Sequence, residues 1–189
     1  MSGDSASVPV LCVFDSEEVG SVSPQGAGSS LLEDTLGRIC DSLKLHRGRM
    51  LAQSFLVSAD NAHAVHPNHP EYADPSNAPV MGGGLVIKYN ANLSYCTDSV
   101  SAGVFRKICG RAGVRVQTYH NRADLPGGST LGRISLAHVS VPTVDIGLAQ
   151  LAMHSCYETA AVSDAVDLEN AMAAYYGATL EATQTGFVI

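Results

Sequence analysis

Carboxylates and imidazoles that could do chemistry stand at three separated places: Glu17 and Glu18, Asp60, and His154 in Leu151-Ala152-Met153-His154-Ser155. These are the side chains that hold catalytic zinc or manganese while leaving a position open for water. Two successive glutamates on a strand would face opposite ways, but in a turn both can converge. One could then ligate metal while its neighbour takes a proton from water. Bland uses compete with this reading. A glutamate pair in a turn is an ordinary solvated feature, Asp60 could cap a helix or turn, and a histidine in an apolar segment is more often a satisfied core residue. His63, His66 and His69 are spaced like a metal cluster, but Pro67 and Pro70 break any helix that would align the imidazoles, so a solvated loop is their default. The Gly82–Gly84 run and Gly127-Gly128 lack the sequel of a phosphate-binding loop and read as turns. Lys88 lies in the apolar run Val86-Ile87-Lys88-Tyr89, where a buried ammonium is costly unless paired. Its bland account is an edge strand whose lysine reaches solvent.

Strands and helices alternate along the chain, and the acidic and imidazole residues fall just beyond strand ends, where open α/β sheets gather ligands. Val8–Phe14 is a continuous apolar run, the pattern of a strand buried on both faces. Ser30 and Glu33 have capping-box spacing, and Leu32, Leu36, Ile39 and Leu43 then form a helical stripe. Ser54–Ser58 predicts a second strand, ending at Ala59-Asp60. The loop over 61–79 is too long for a simple connector, which raises the expectation of function. Gly84–Tyr89 predicts a strand and Ser99–Gly113 a helix with Val104, Phe105, Ile108 and Cys109 inward. Val114–Thr118 and Ile134–Val141 predict further strands. A last helix over Ser163–Tyr176 repeats apolar residues at Val166, Met172 and Tyr176. The expectation is a single α/β layered domain over residues 1–189.

Composition removes several function classes. Eleven basic residues against eighteen acidic give a net charge of −7, which argues against nucleic-acid partners that need clustered cations. No apolar run approaches the ~20 residues needed to cross a bilayer, and the N-terminus lacks the pattern of a secretory signal. The five cysteines are widely spaced with no Cys-x-x-Cys pair, the usage of reduced, mostly buried thiols in a cytoplasmic protein. Trp is absent and aromatics are 6%, so stacking platforms for bases or sugars are not expected.

Whole segments carry more information than spacing. Phe14-Asp15-Ser16-Glu17-Glu18-Val19-Gly20-Ser21 with Gln25-Gly26-Ala27, and Ser58-Ala59-Asp60-Asn61-Ala62-His63-Ala64-Val65-His66-Pro67-Asn68, resemble the aspartyl aminopeptidase family of dizinc exopeptidases. Val86-Ile87-Lys88-Tyr89-Asn90-Ala91-Asn92, Gly127-Gly128-Ser129-Thr130, Thr143-Val144-Asp145-Ile146-Gly147 and Ala152-Met153-His154-Ser155 extend the likeness from about Val8 to about Tyr176, in the family's order. Ser16 stands where the family usually carries Asn.

The resemblance implies a three-layer αβα zinc-exopeptidase-like fold and two zinc ions per complete site, with manganese or cobalt as substitutes. It implies that Glu17 is the general base and also meets substrate, that Glu18 and His154 ligate one zinc, and that Asp60 ligates the other. His63, Lys88 and Tyr95 match substrate-contacting positions. Lys88 offers a point charge to an acidic side chain, while His63 and Tyr95 can donate to a developing oxyanion. Family members are much longer: another histidine ligand, the bridging aspartate and an inserted dimerisation domain come from an earlier part with no counterpart before Val8. The expectation is therefore the C-terminal portion of a metalloaminopeptidase catalytic domain that releases N-terminal Asp or Glu from peptides. It would be inactive alone and homo-oligomeric in the full-length family. The rival is a non-catalytic interaction protein that kept the fold.

Overall fold

A computed structural model describes residues 7–189. Helices α1 (Leu31–Ser42), α2 (Arg47–Ala52), α3 (Ser99–Arg111), α4 (Leu131–Ser135) and α5 (Val162–Gly177) flank a mixed sheet. Its strands are β1 (Leu56–Ala59), β3 (Leu85–Tyr89), β4 (Val116–His120) and β5 (Thr143–Gly147), ordered β1-β5-β3-β4. β1 runs parallel to β5 and β3 parallel to β4, while β5 and β3 are antiparallel. A smaller sheet joins β2 (Ala62–His63), β6 (Ala149–Leu151) and β7 (Thr159–Ala160), and β8 (Glu181–Thr183) pairs with β9 (Gly186–Val188).

Alternation on the strands divides the layers. Leu85 and Ile87 from β3, with Val144 and Ile146 from β5, pack against Phe105 and Ile108 of α3 and Ala171 of α5. On the opposite face α4 covers β1, and a second cluster gathers Leu32, Val139 and Val141 with Leu36, Leu51 and Leu56. Helices on both faces of a mixed sheet make the expected three layers. The α3 helix starts cleanly because Asp98 and Ser101 form a reciprocal capping box.

Several expectations need correction. Val8–Phe14 forms no strand: Cys12 and Phe14 pack on the second cluster, but Leu11 and Val13 are 77% and 80% exposed. A run apolar on both faces needs cover on both faces, and the described residues cover only one. Ser30 and Glu33 make no capping box; the Ser30 hydroxyl donates to Asp34 and Glu33 pairs with Arg47. Leu43 caps the end of α1 and is exposed, so the stripe stops before it. Ile134–Val141 is not a strand but the end of α4 and a following turn; the strand lies at Thr143–Gly147, where every residue is buried. The Val114–Thr118 strand is shifted to Val116–His120, because Gly113, at φ 69, and Val114 complete the turn that ends α3. Along α5 the inward face is Leu168, Ala171, Met172 and Tyr175, whereas Val166 is exposed.

Candidate active site

The paired strands β1 and β5 run on into β2 and β6, and their ends build one side of a cleft of about 380 Å³. Asp60 follows β1, where its N–H donates to the Ile146 carbonyl. Gly147 lies so close that a Cβ there would sit 2.0 Å from the Asp60 carbonyl oxygen. No side chain other than hydrogen fits that approach. His154 follows β6 in a turn where it adopts φ 67, and its N–H donates to Glu158 Oε1 at 2.6 Å. Glu17 and Glu18 open a single 3-10 turn between Ser16 at φ 61 and Gly20 at φ 100. That turn resolves the question of two adjacent glutamates, because both line the same cleft.

Glu17, Glu18, Asp60, His63, Lys88, Tyr95 and His154 all line it, although they come from six places in the chain. His154 Nε2 and Glu18 Oε2 are 2.9 Å apart, with both side chains largely open to solvent. Lys88 leaves the middle of β3, not an edge, so the edge-strand account fails. Its residue is 1% exposed, and Nζ donates to the Asn61 carbonyl at 3.2 Å. Nζ also lies 3.7 Å from Asp60 Oδ2 and 5.0 Å from the centroid of the Tyr95 ring. The ammonium is thus paired within the chain before any ligand arrives. His66 and His69 remain outside the cleft, their rings 5.4 Å apart, with His69 on Glu71.

Electrostatics follow from that crowding. Burial, together with the charges of Asp60 and Glu18, raises the Glu17 carboxyl above its ordinary value. Loss of water around the His63 ring, then the electrostatic influence of His154 and Lys88, lower its imidazole against the pull of Asp60. Burial lowers the Lys88 ammonium, opposed by Asp60, Asp145 and Glu17. Burial raises the Tyr95 phenol, so it stays a hydrogen-bond donor at neutral pH.

The donor types suit zinc, but their number falls short. Among the described residues no group of three His, Cys, Asp or Glu side chains is close enough to hold a metal ion. Glu18 and His154 make only a pair, against about three protein ligands for a catalytic zinc. Sequence reasoning gave no role to Asn61, Gln150, Glu158, Thr130 or Asp145. Asn61 Nδ2 donates to Gln150 Oε1 at 2.5 Å while its carbonyl takes Lys88. A lone carboxylate in the apolar strand Thr143–Gly147 was the available signal for Asp145.

An αβα layer with acidic and imidazole residues gathered beyond its strand ends is a setting in which metal-dependent hydrolases build their sites. The profile of the Aminopeptidase I zinc metalloprotease (M18) family matches residues 2–177, and the chain belongs to that family. It is 46% identical over 182 residues to the Probable M18 family aminopeptidase 2 of Mycobacterium tuberculosis, covering 95% of this chain and 42% of the relative. A probable aspartyl aminopeptidase of Ricinus communis is 47% identical over 161 residues, 83% of this chain and 33% of its own length. Among solved structures, the Ape4 and Nbr1 complex matches 87% of this chain and 32% of its own at 40% identity and a TM-score of 0.77. The S. cerevisiae mApe1 dodecamer matches 87% and 37% at 28% identity and a TM-score of 0.73. The chain thus spans about two fifths of the mycobacterial relative's length.

Proposed function

We propose that the cleft is the substrate-facing part of a zinc aminopeptidase site that releases N-terminal Asp or Glu from peptides. The observation that carries this reading is the convergence of Glu17, Glu18, Asp60, His63, Lys88, Tyr95 and His154 on one cleft. Glu18 and His154 would hold one zinc and Asp60 the other, with the remaining donors supplied from outside these 189 residues. Zinc, when bound, acidifies water and polarises the scissile carbonyl. Glu17, with its raised carboxyl, takes the proton from the attacking water and delivers it to the leaving amine. Tyr95 and His63 donate to the carbonyl oxygen as charge builds on it. Lys88 meets the acidic side chain of the substrate, shared with Asp60 in its absence.

Manganese or cobalt can occupy such oxygen-and-nitrogen sites. Homo-oligomerisation is proposed from the dodecameric mApe1 relative. A cytoplasmic setting is proposed from five free thiols; among the described residues no helix is long and apolar enough to cross a membrane. Because the described donors are too few for either ion, the 189-residue chain alone should not turn over substrate.

The test is a chimera in which this chain replaces its matched stretch in the M. tuberculosis relative, assayed beside the isolated chain with Asp, Glu and Leu chromogenic substrates. Zinc-dependent release of Asp and Glu by the chimera only is the expected result. A metal-loaded, folded chimera without peptidase activity would favour the non-catalytic reading.

A further inference from the structure

The innermost charged side chain behind the cleft belongs to Asp145. It sits on β5 with no exposed surface, and among the described residues no cation pairs with its carboxylate within salt-bridge distance. A carboxylate so placed is costly unless its oxygens are satisfied. Oδ2 accepts the Cys96 N–H at 2.5 Å and Oδ1 accepts the Thr130 hydroxyl at 2.8 Å. The Asp145 N–H in turn donates to Thr97 Oγ1 at 2.8 Å.

Both acceptor bonds reach cleft walls. The peptide plane that carries the Cys96 N–H also carries the Tyr95 carbonyl and Cα. Fixing that N–H therefore fixes the root of Tyr95, whose ring lies 5.0 Å from Lys88 Nζ. Thr130 ends the Gly128-Ser129-Thr130 stretch, which also lines the cleft. It is also the N-cap of α4, a position where a threonine hydroxyl ordinarily accepts a helix N–H. Here it makes no capping bond and donates to Asp145 instead. Gly132 completes the arrangement, since a Cβ there would lie 2.9 Å from Asp145 Oδ1 and 2.7 Å from Ser58 Oγ. Helix capping and side-chain freedom at Gly132 both yield to this carboxylate.

We propose that Asp145 is a positioning residue that ties the Tyr95 loop and the Gly128–Thr130 loop to β5 and so sets the width of the cleft around Lys88. This rests on the proposed aminopeptidase reading for its consequence in catalysis, and on the hydrogen bonds alone for the tether.

The test uses Thr130→Val, Thr130→Ser and Asp145→Ala, so that one poorly folding variant does not decide it. In the isolated chain, amide exchange at Cys96 should rise about tenfold or more in Asp145→Ala, which removes the acceptor of that N–H, and by less in Thr130→Val, which only frees the other carboxylate oxygen; Thr130→Ser should keep the parent rate. In the chimera, Thr130→Val should raise KM for acidic substrates about tenfold with kcat within a factor of about three and zinc content unchanged, and Thr130→Ser should restore KM. Parent-like protection at Cys96 in both Asp145→Ala and Thr130→Val overturns the tether. Equal loss of kcat for acidic and neutral substrates in step with thermal stability reduces Asp145 to a fold residue and overturns the positioning role. If the parent chimera is inactive, the aminopeptidase reading fails, and exchange at Cys96 still decides the tether.

Discussion

Replacing Lys88 by methionine keeps the length and packing of the stem and removes the ammonium from a site that is 1% exposed. If that ammonium selects acidic substrates, the loss can be bounded. Two unit charges about 4 Å apart at an effective dielectric near 20 attract by about 4 kcal/mol. Part of this is already engaged, because Asp60 Oδ2 lies 3.7 Å away and must share the cation with any incoming carboxylate. The net cost should therefore fall at about 2–3 kcal/mol, a loss of roughly 30- to 150-fold in kcat/KM for Asp and Glu substrates. A Leu substrate makes no such contact and should change less than about threefold. The assay is steady-state hydrolysis of Asp, Glu and Leu chromogenic substrates by the parent and Lys88→Met chimeras, with circular dichroism to confirm folding. If acidic and neutral substrates fall by the same factor, Lys88 supports the cleft and does not read the side chain.

Glu17→Gln in the chimera should reduce kcat to background while zinc content stays near the parent value, whereas Glu18→Gln should also lose zinc; equal metal loss in both would end the division of labour. With a disulfide reagent at pH 8, the exposed Cys156 should react first. Burial pushes Cys96 up to about 12 and Cys109 up to about 11, so both should stay protonated and slow until the chain unfolds. Fast reaction of all three in the native chain would contradict the packing. Phe105, fully buried between α3 and the sheet, should cost about 3–5 kcal/mol when replaced by alanine, read by urea unfolding of the chain. A cost below about 1 kcal/mol would mean that this face is not the core.

The legible parts were those where chemistry and local pattern coincide. The apolar run at Leu85–Tyr89, the stripe of α3 and the long α5 follow from periodicity alone. Val8–Phe14 misled because its composition records burial on both faces, while strand formation needs neighbours that these residues do not supply. Ile134–Val141 misled because its apolar residues serve a short helix and turn, and the true strand at Thr143–Gly147 carries an aspartate at its centre that interrupts the apolar run. Glu17, Glu18, Asp60, His63, Lys88, Tyr95 and His154, singled out from the family resemblance, all line the cleft. Asn61 and Gln150 were silent because their work is to hydrogen-bond across distant elements, 89 residues apart. Such partners leave no spacing signal. The partner of Lys88 was likewise invisible: Asp60 reaches it only because β1 and β5 set the turn at Gly147.

Zinc location in crystals of the chimera, read by anomalous scattering at the zinc edge, decides which residues hold the metal. One peak should lie about 2.0–2.2 Å from a Glu18 carboxylate oxygen and from His154 Nε2, and a second at that distance from Asp60, with Glu17 facing both and ligating neither. Zinc held instead by His66 and His69, or bound with Glu18 and His154 still paired to each other, would overturn this assignment of the ligands.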